Sequence, residues 1–195
     1  MRNNHTLLIL CVLTTLITGC AAVVVGGMAA TGVALIHDRR SAGTVIDDEN
    51  IELKASARLL NNAELRQNAH VNVTSYNALV LLTGEAPSLD LKKKIEALVR
   101  RVPNVREVYN ELRIAGPSAY LSRSSDTLIT SKIKTGLIQI RGIPGFDPTR
   151  VKIVTENGTV FLMGLLTQQE AQQVSNYTRS VGGVEKVIKI VEYLN

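Results

Sequence analysis

Tryptophan is absent from the 195 residues, aromatics amount to five tyrosines and two phenylalanines, and there are only two cysteines and three histidines. So few aromatics exclude a large aromatic-lined pocket. His5, His37 and His70 lie far apart and no two share a helix face, whereas catalysis needs a nucleophile beside a base, paired carboxylates or clustered metal ligands. His70 reads as a surface residue at a strand entrance. No G-x-G-x-x-G or G-x-x-x-x-G-K-[ST] pattern is present to cradle phosphate. The run Asp47-Asp48-Glu49 reads as helix capping rather than metal ligation, because acids before a helix are favoured by its exposed N–H groups and dipole. A net charge of +5 is basic without the dense Lys/Arg clustering of a nucleic-acid binder. These features argue for a protein with no enzymatic activity, cofactor, metal or nucleic-acid partner.

A long apolar run is missing too. Leu7 to Ile17, behind Arg2, has the layout of a secretory signal and is too short to cross a bilayer. It ends in Ile17-Thr18-Gly19-Cys20, which resembles the lipobox of bacterial lipoproteins. That resemblance implies removal of residues 1–19, a diacylglycerol on the Cys20 sulfur and an acyl chain such as palmitate on its new amine. The competing reading is a buried or reactive cysteine in an ordinary export signal. If the signal is cut before Cys20, Cys11 leaves with it and no disulfide framework is possible. Each buried methylene adds roughly 0.8 kcal/mol, so three chains anchor durably. Ala21 follows Cys20 in place of the aspartate of inner-membrane retention; the resemblance therefore implies the outer membrane, facing the periplasm.

Residues 20–46, rich in Ala, Gly and Val, read as a lipidated tether. From there periodicity takes over. Asp47 or Asp48 can cap a helix carrying Ile51, Ala55 and Leu59 on one stripe. Val71 and Val73 alternate with polar residues, Asn77-Ala78 makes a turn, and Leu79 to Leu82 forms a second strand. Pro87 opens a helix through Leu91, Ile95, Leu98 and Val99, and Val105 to Ile114 returns as a strand. After a linker at 115–124 the series recurs: Asp126 caps Ile129, Ile133 and Leu137, Val151 and Ile153 alternate, and Asn157-Gly158 is the stronger hairpin turn. Val160 to Leu165, a helix over 167–181 and a strand over 184–191 complete it. The spacing shifts by two residues between the first helix and the first strand, where the second copy carries Arg141-Gly142-Ile143-Pro144-Gly145, a place for a loop insertion. The fold class expected is α+β: two tandem αββαβ sandwiches over 47–114 and 125–195, each a three-stranded mixed sheet packed on two helices. Each unit is small for an independent core, so the two should pack together.

A central glycine closing each hairpin (Gly84, Gly164) and V-x-x-V-x-x-V endings from Val102 and Val181 resemble BON domains. Two of them behind a lipobox, with DRRSAGTVIDD and VTENGTVFLMGL, resemble the dual-BON-domain outer-membrane lipoproteins of Gram-negative bacteria across the whole mature chain. The resemblance implies a part in outer-membrane integrity and a place at the division site.

The repeats differ in charge. Residues 47–114 hold ten Lys/Arg and ten Asp/Glu, residues 122–195 nine and six. Opposite the core stripe of its first helix, the second repeat carries Leu128, Ser131, Lys132, Lys134, Thr135 and Ile138, the mixture of apolar tips, hydroxyls and cations that meets anionic phospholipid. The resemblance points to the same helix, with an aromatic where Leu128 stands. The first repeat's outward positions, Asn50, Lys54, Ala57 and Arg58, are expected to include no large apolar residue, and Lys92-Lys93-Lys94 to point into solvent. Two alternatives stand beside lipid binding. One is an ordinary solvated helix; the other is a periplasmic scaffold docking an envelope assembly protein or a peptidoglycan regulator.

Overall fold

The structure, a computed structural model, describes residues 38–116, 120–140 and 143–194, the side chains of 120–124 aside. Ser41 begins the first helix: its hydroxyl accepts the Thr44 N–H, and α1 runs Ala42–Asn61. The cap is therefore neither Asp47 nor Asp48, and the stretch read as tether ends inside a helix. Asn62 closes α1 and caps a short α2 (Ala63–Asn68) that the periodicity did not anticipate. Strands β1 (His70–Tyr76) and β2 (Leu79–Ala86) pair antiparallel, with Val71 opposite Gly84. The turn residues Asn77 and Ala78 have φ of 51° and 63°, the left-handed pair that suits a tight hairpin. Ser88 caps α3 (Leu89–Arg100), which crosses back to β3 (Glu107–Asn110) and β4 (Arg113–Ile114), both parallel to β2. The single strand expected here is broken because Leu112 turns into the core and is 2% exposed.

In the second repeat α4 (Tyr120–Leu137) begins within the expected linker. A 3-10 turn (Pro148–Arg150) leads into β5 (Val151–Glu156), which pairs antiparallel with β6 (Thr159–Leu166). Thr167 and Glu170 form a reciprocal capping box on α5 (Gln168–Ser180), and β7 (Lys186–Tyr193) returns parallel to β6 without a break. Both sheets are mixed, as expected for this α+β fold.

Asp48 and Asp126 do something other than cap. Each stands well inside its helix and reaches the following hairpin. Asp48 accepts the N–H groups of Asn77 and Ala78 at 2.7 and 2.8 Å and the Ser75 hydroxyl at 2.6 Å, and pairs with Arg40 at 2.7 Å. Asp126 accepts those of Asn157 and Gly158 at 2.8 and 3.0 Å. A two-residue hairpin leaves both turn N–H groups without strand partners; once a helix covers the turn, water no longer reaches them and a carboxylate must.

Alternation along the strands distributes the burial. Val80 and Leu82 point at α1 and α3, and Val160 and Leu162 at α4 and α5. The opposite faces meet each other through Tyr76, Leu79, Leu81, Phe161, Met163 and Ile190. The order of layers is α1/α3, sheet, sheet, α4/α5. Each side chain buried in the central layer contributes about 1.5–3 kcal/mol, offsetting the small core of either repeat. Polar bonds at the margins set the register. Asn77 Nδ2 donates to Glu192 at 2.6 Å, and Asn157 Nδ2 donates to buried Glu85 at 3.2 Å, so each hairpin reaches into the other repeat.

Candidate functional site

The core stripe of α4 is as expected: Ile129, Ile133 and Leu137 are buried. One turn of small-residue packing shapes what lies beside it. A Cβ on Gly136 would stand 1.6 Å from the Tyr177 hydroxyl, so the ring of Tyr177 on α5 lies directly against the α4 backbone. That close approach opens a groove of about 550 Å³ between the two helices, lined by Leu128, Ser131, Lys132, Thr135, Tyr177 and Val181. Leu128 is 62% exposed and Ile138, just past the helix end, 65%. Among the described residues no ion pair involves Lys132 or Lys134, which leaves both ammonium groups available to an external anion.

The six residues singled out in the sequence are all exposed, and all but Ile138 border two depressions that share Ser131. Leu128, Ser131, Lys132 and Thr135 share the groove; Lys134 lines a second depression of about 460 Å³ together with Ser131, His70, Asn72, Thr130 and Glu156, at the margin between repeats. Ile138 lines neither. Tyr177, Ser180 and Val181 were missed. The available signal was Gly136, since a glycine inside a helix costs about 1 kcal/mol and marks a close neighbour. Cys20 lies outside the described residues.

Three further expectations need correction. The first repeat does expose large apolar residues: Ile46, Leu53 and Leu60 are 60%, 69% and 58% exposed along α1. Their spacing of seven keeps them on one line, opposite the buried stripe of Ile51, Ala55 and Leu59. Lys92 does not point freely outward; its ammonium donates to the Leu112 carbonyl at 2.7 Å, completing the backbone where the strand breaks. His70 stands at a strand entrance as expected, opening β1, but it is half-buried rather than a surface residue, with Nδ1 3.3 Å from Glu85. Among the described residues no three His, Cys, Asp or Glu gather as metal ligands, and no helix is long and apolar enough to cross a membrane.

Where the chain enters the folded unit, two arginines are engaged. Arg39 makes a two-pronged pair with buried Glu170 in the first turn of α5, at 2.6 and 2.9 Å. Burial raises the Glu170 pKa, but Arg39 and the Thr167 N–H lower it further, leaving it below the ordinary carboxylate range. Arg40 pairs with Asp48 and stacks 3.9 Å above the Tyr76 ring.

The BON domain family matches residues 47–116 and again 125–195. Outer membrane lipoprotein DolP of Haemophilus influenzae is 36% identical over 182 residues, 93% of this chain and 92% of its own. A 21 kDa hemolysin of Actinobacillus pleuropneumoniae is 38% identical over 157 residues, 80% of this chain and 79% of its own. Among solved structures, the C-terminal domain of CdsD, a structural protein of the Type III secretion system of Chlamydia trachomatis, aligns over 76% of this chain and 67% of its own at 16% identity and a TM-score of 0.30, too slight a likeness to carry an argument.

Proposed function

The chain belongs to the BON-domain family, as two copies in tandem of the DolP type, and from that premise we propose that it is a non-enzymatic outer-membrane lipoprotein, anchored through Cys20 and facing the periplasm, that binds anionic phospholipid through its second repeat. The name of the Haemophilus influenzae relative and the Ile17-Thr18-Gly19-Cys20 sequence support the anchor and its membrane. The observation that carries the lipid reading is the α4 face. Exposed Leu128 borders a groove whose rim holds Ser131, Lys132 and Thr135, with Lys134 on the flank and neither lysine paired among the described residues. An apolar tip entering below the headgroups while ammonium and hydroxyl groups meet phosphate is how an interfacial helix reads an anionic surface. Held there, the protein supports the integrity of the outer membrane.

The test is an amide chemical-shift titration of residues 38–195 with micelles, with and without phosphatidylglycerol. Shifts confined to Leu128–Ile138 and the facing end of α5, present only with the anionic lipid and lost in Lys132→Glu/Lys134→Glu, support the reading. No shifts under either condition sink it.

A second reading is favoured by the apolar line Ile46, Leu53 and Leu60 on α1. There the first repeat docks an envelope assembly protein or peptidoglycan regulator, and Lys132→Glu/Lys134→Glu leaves that contact intact while Leu53→Asp abolishes it.

A further inference from the structure

The two repeats end their sheets differently. In the first, the returning strand is broken at buried Leu112 into β3 and β4, edge pieces of four and two residues. Its counterpart β7 runs eight residues without a break and pairs with β6 alone. Leu194 donates its N–H to the Leu166 carbonyl at 2.9 Å. Alternation along a parallel ladder then turns the N–H and C=O groups of Val187, Lys189, Val191 and Tyr193 away from β6. Among the described residues nothing bonds these outward groups. On β1, by contrast, Glu52 accepts the Ser75 N–H at 2.8 Å and Lys152 donates to the Ser75 carbonyl at 3.1 Å. A row of unpaired backbone groups is a template for another strand, and proteins shield such rows; β7 is left open.

We infer that the free edge of β7 docks an extended acidic segment of another protein, which adds to the three-stranded sheet of the second repeat as a further strand. Charge selects the occupant. Lys186 and Lys189 are exposed, and among the described residues neither makes an ion pair. The acid that β7 carries, Glu192, is already held by Arg106 at 2.7 Å and Asn77 at 2.6 Å. A second copy would therefore set lysines against lysines, whereas a strand bearing carboxylates meets two free ammonium groups. Side chains of the added strand alternate between two surroundings. On the helix side lies a depression of about 460 Å³ lined by Gln168, Gln169, Gln172, Lys189 and Tyr193, whose ammonium, amide and phenol groups are donors to a carboxylate. On the other side stands half-buried Ile188, beside Ile190 of the layer between the sheets, which suits valine or isoleucine. Backbone bonds supply the affinity and the alternating side chains the choice of partner. The depression is at the Gln168 end of α5 and the α4 groove at the Ser180 end, so docking leaves the proposed lipid face free.

The probe is a capped synthetic peptide of alternating valine and glutamate, added to the whole chain in phosphatidylcholine nanodiscs while amide shifts and hydrogen exchange are read. Exchange should slow at Val187, Lys189, Val191 and Tyr193 and stay unchanged along β3. Lys186→Glu/Lys189→Glu should weaken binding about tenfold. Two further peptides carry N-methyl groups on alternate amides, each on one set. Only one set can face β7 while glutamate stays on the helix side, so one peptide should lose binding and the other keep it. Loss in both, or in neither, overturns strand addition without relying on any variant of the protein. No binding of the parent peptide, or equally tight binding of a valine–lysine peptide, overturns the acidic partner. Protection of the same four amides that grows with protein concentration in the absence of peptide overturns it in favour of self-pairing.

Discussion

Replacing Asp48 and Asp126 by alanine, one at a time, separates a bare turn clamp from one reinforced by an ion pair. Asp126→Ala strips two N–H bonds, at 2.8 and 3.0 Å, from the Asn157-Gly158 turn. Hydrogen bonds to a charged group contribute about 1.5–3 kcal/mol each, and two sharing one carboxylate are not additive, so the expected cost is about 3 kcal/mol. Asp48→Ala removes two such bonds, the Ser75 hydroxyl and the Arg40 pair. Breaking a buried pair costs about 3–5 kcal/mol, but the Arg40 side chain keeps 11% exposure and the Tyr76 ring, so its charge is partly relieved. The expectation is about 4 kcal/mol. With a urea slope near 2 kcal/mol/M, the midpoint of residues 38–195 should fall by about 2 M for Asp48→Ala and about 1.5 M for Asp126→Ala. Amide exchange should accelerate first at Asn77 and Ala78 in the former, and at Asn157 and Gly158 in the latter. A cost below about 1 kcal/mol for Asp48→Ala would falsify the view that this carboxylate closes the turn.

The Glu170 carboxyl is held below its ordinary range in the fold, so its contribution is complete above the unfolded value and lost as pH falls through the folded one. The stability gap between wild type and Glu170→Gln should therefore be widest at neutral pH and close below about pH 4, read from urea midpoints between pH 3 and 7; a gap that widens on acidification contradicts the Arg39 pairing. Gly84 combines a φ of 111° with a position where a Cβ would meet the His70 carbonyl oxygen at 2.1 Å, whereas at Gly164 the equivalent clearance to the Arg150 oxygen is 2.9 Å without a positive φ. Gly84→Ala should cost more than about 3 kcal/mol and Gly164→Ala less, so equal or reversed losses in thermal melts would count against the strain argument.

Most of the fold was legible because it is written twice. A helix carrying Ile51, Ala55 and Leu59 and another carrying Ile129, Ile133 and Leu137, each followed by alternating valines and an Asn-containing turn, constrain one another where either alone is ambiguous. Boundaries were less legible. Ser41 with Thr44 was available as a cap, but the acids at 47–49 are the louder signal, and in an isolated helix they would belong at its start. The α4 face was found from helical angle alone. Its groove was not, since half of it comes from α5, packed against Gly136 from more than forty residues away in sequence.

Periodicity and turn chemistry by themselves determined the two αββαβ units, their strand pairing and the outward set from Leu128 to Ile138, since these depend on residues a few positions apart. Tertiary structure alone decided that the sheets stack face to face, that Asp48 and Asp126 serve hairpins rather than helix ends, and that Arg39 and Arg40 grip different repeats. The stacked sheets join apolar faces distant in sequence, and the hairpin carboxylates and Arg39 each bring together a donor and an acceptor just as distant. Burial leaves such groups no water to bond with, and only the packed chain decides which partner stands within three ångströms.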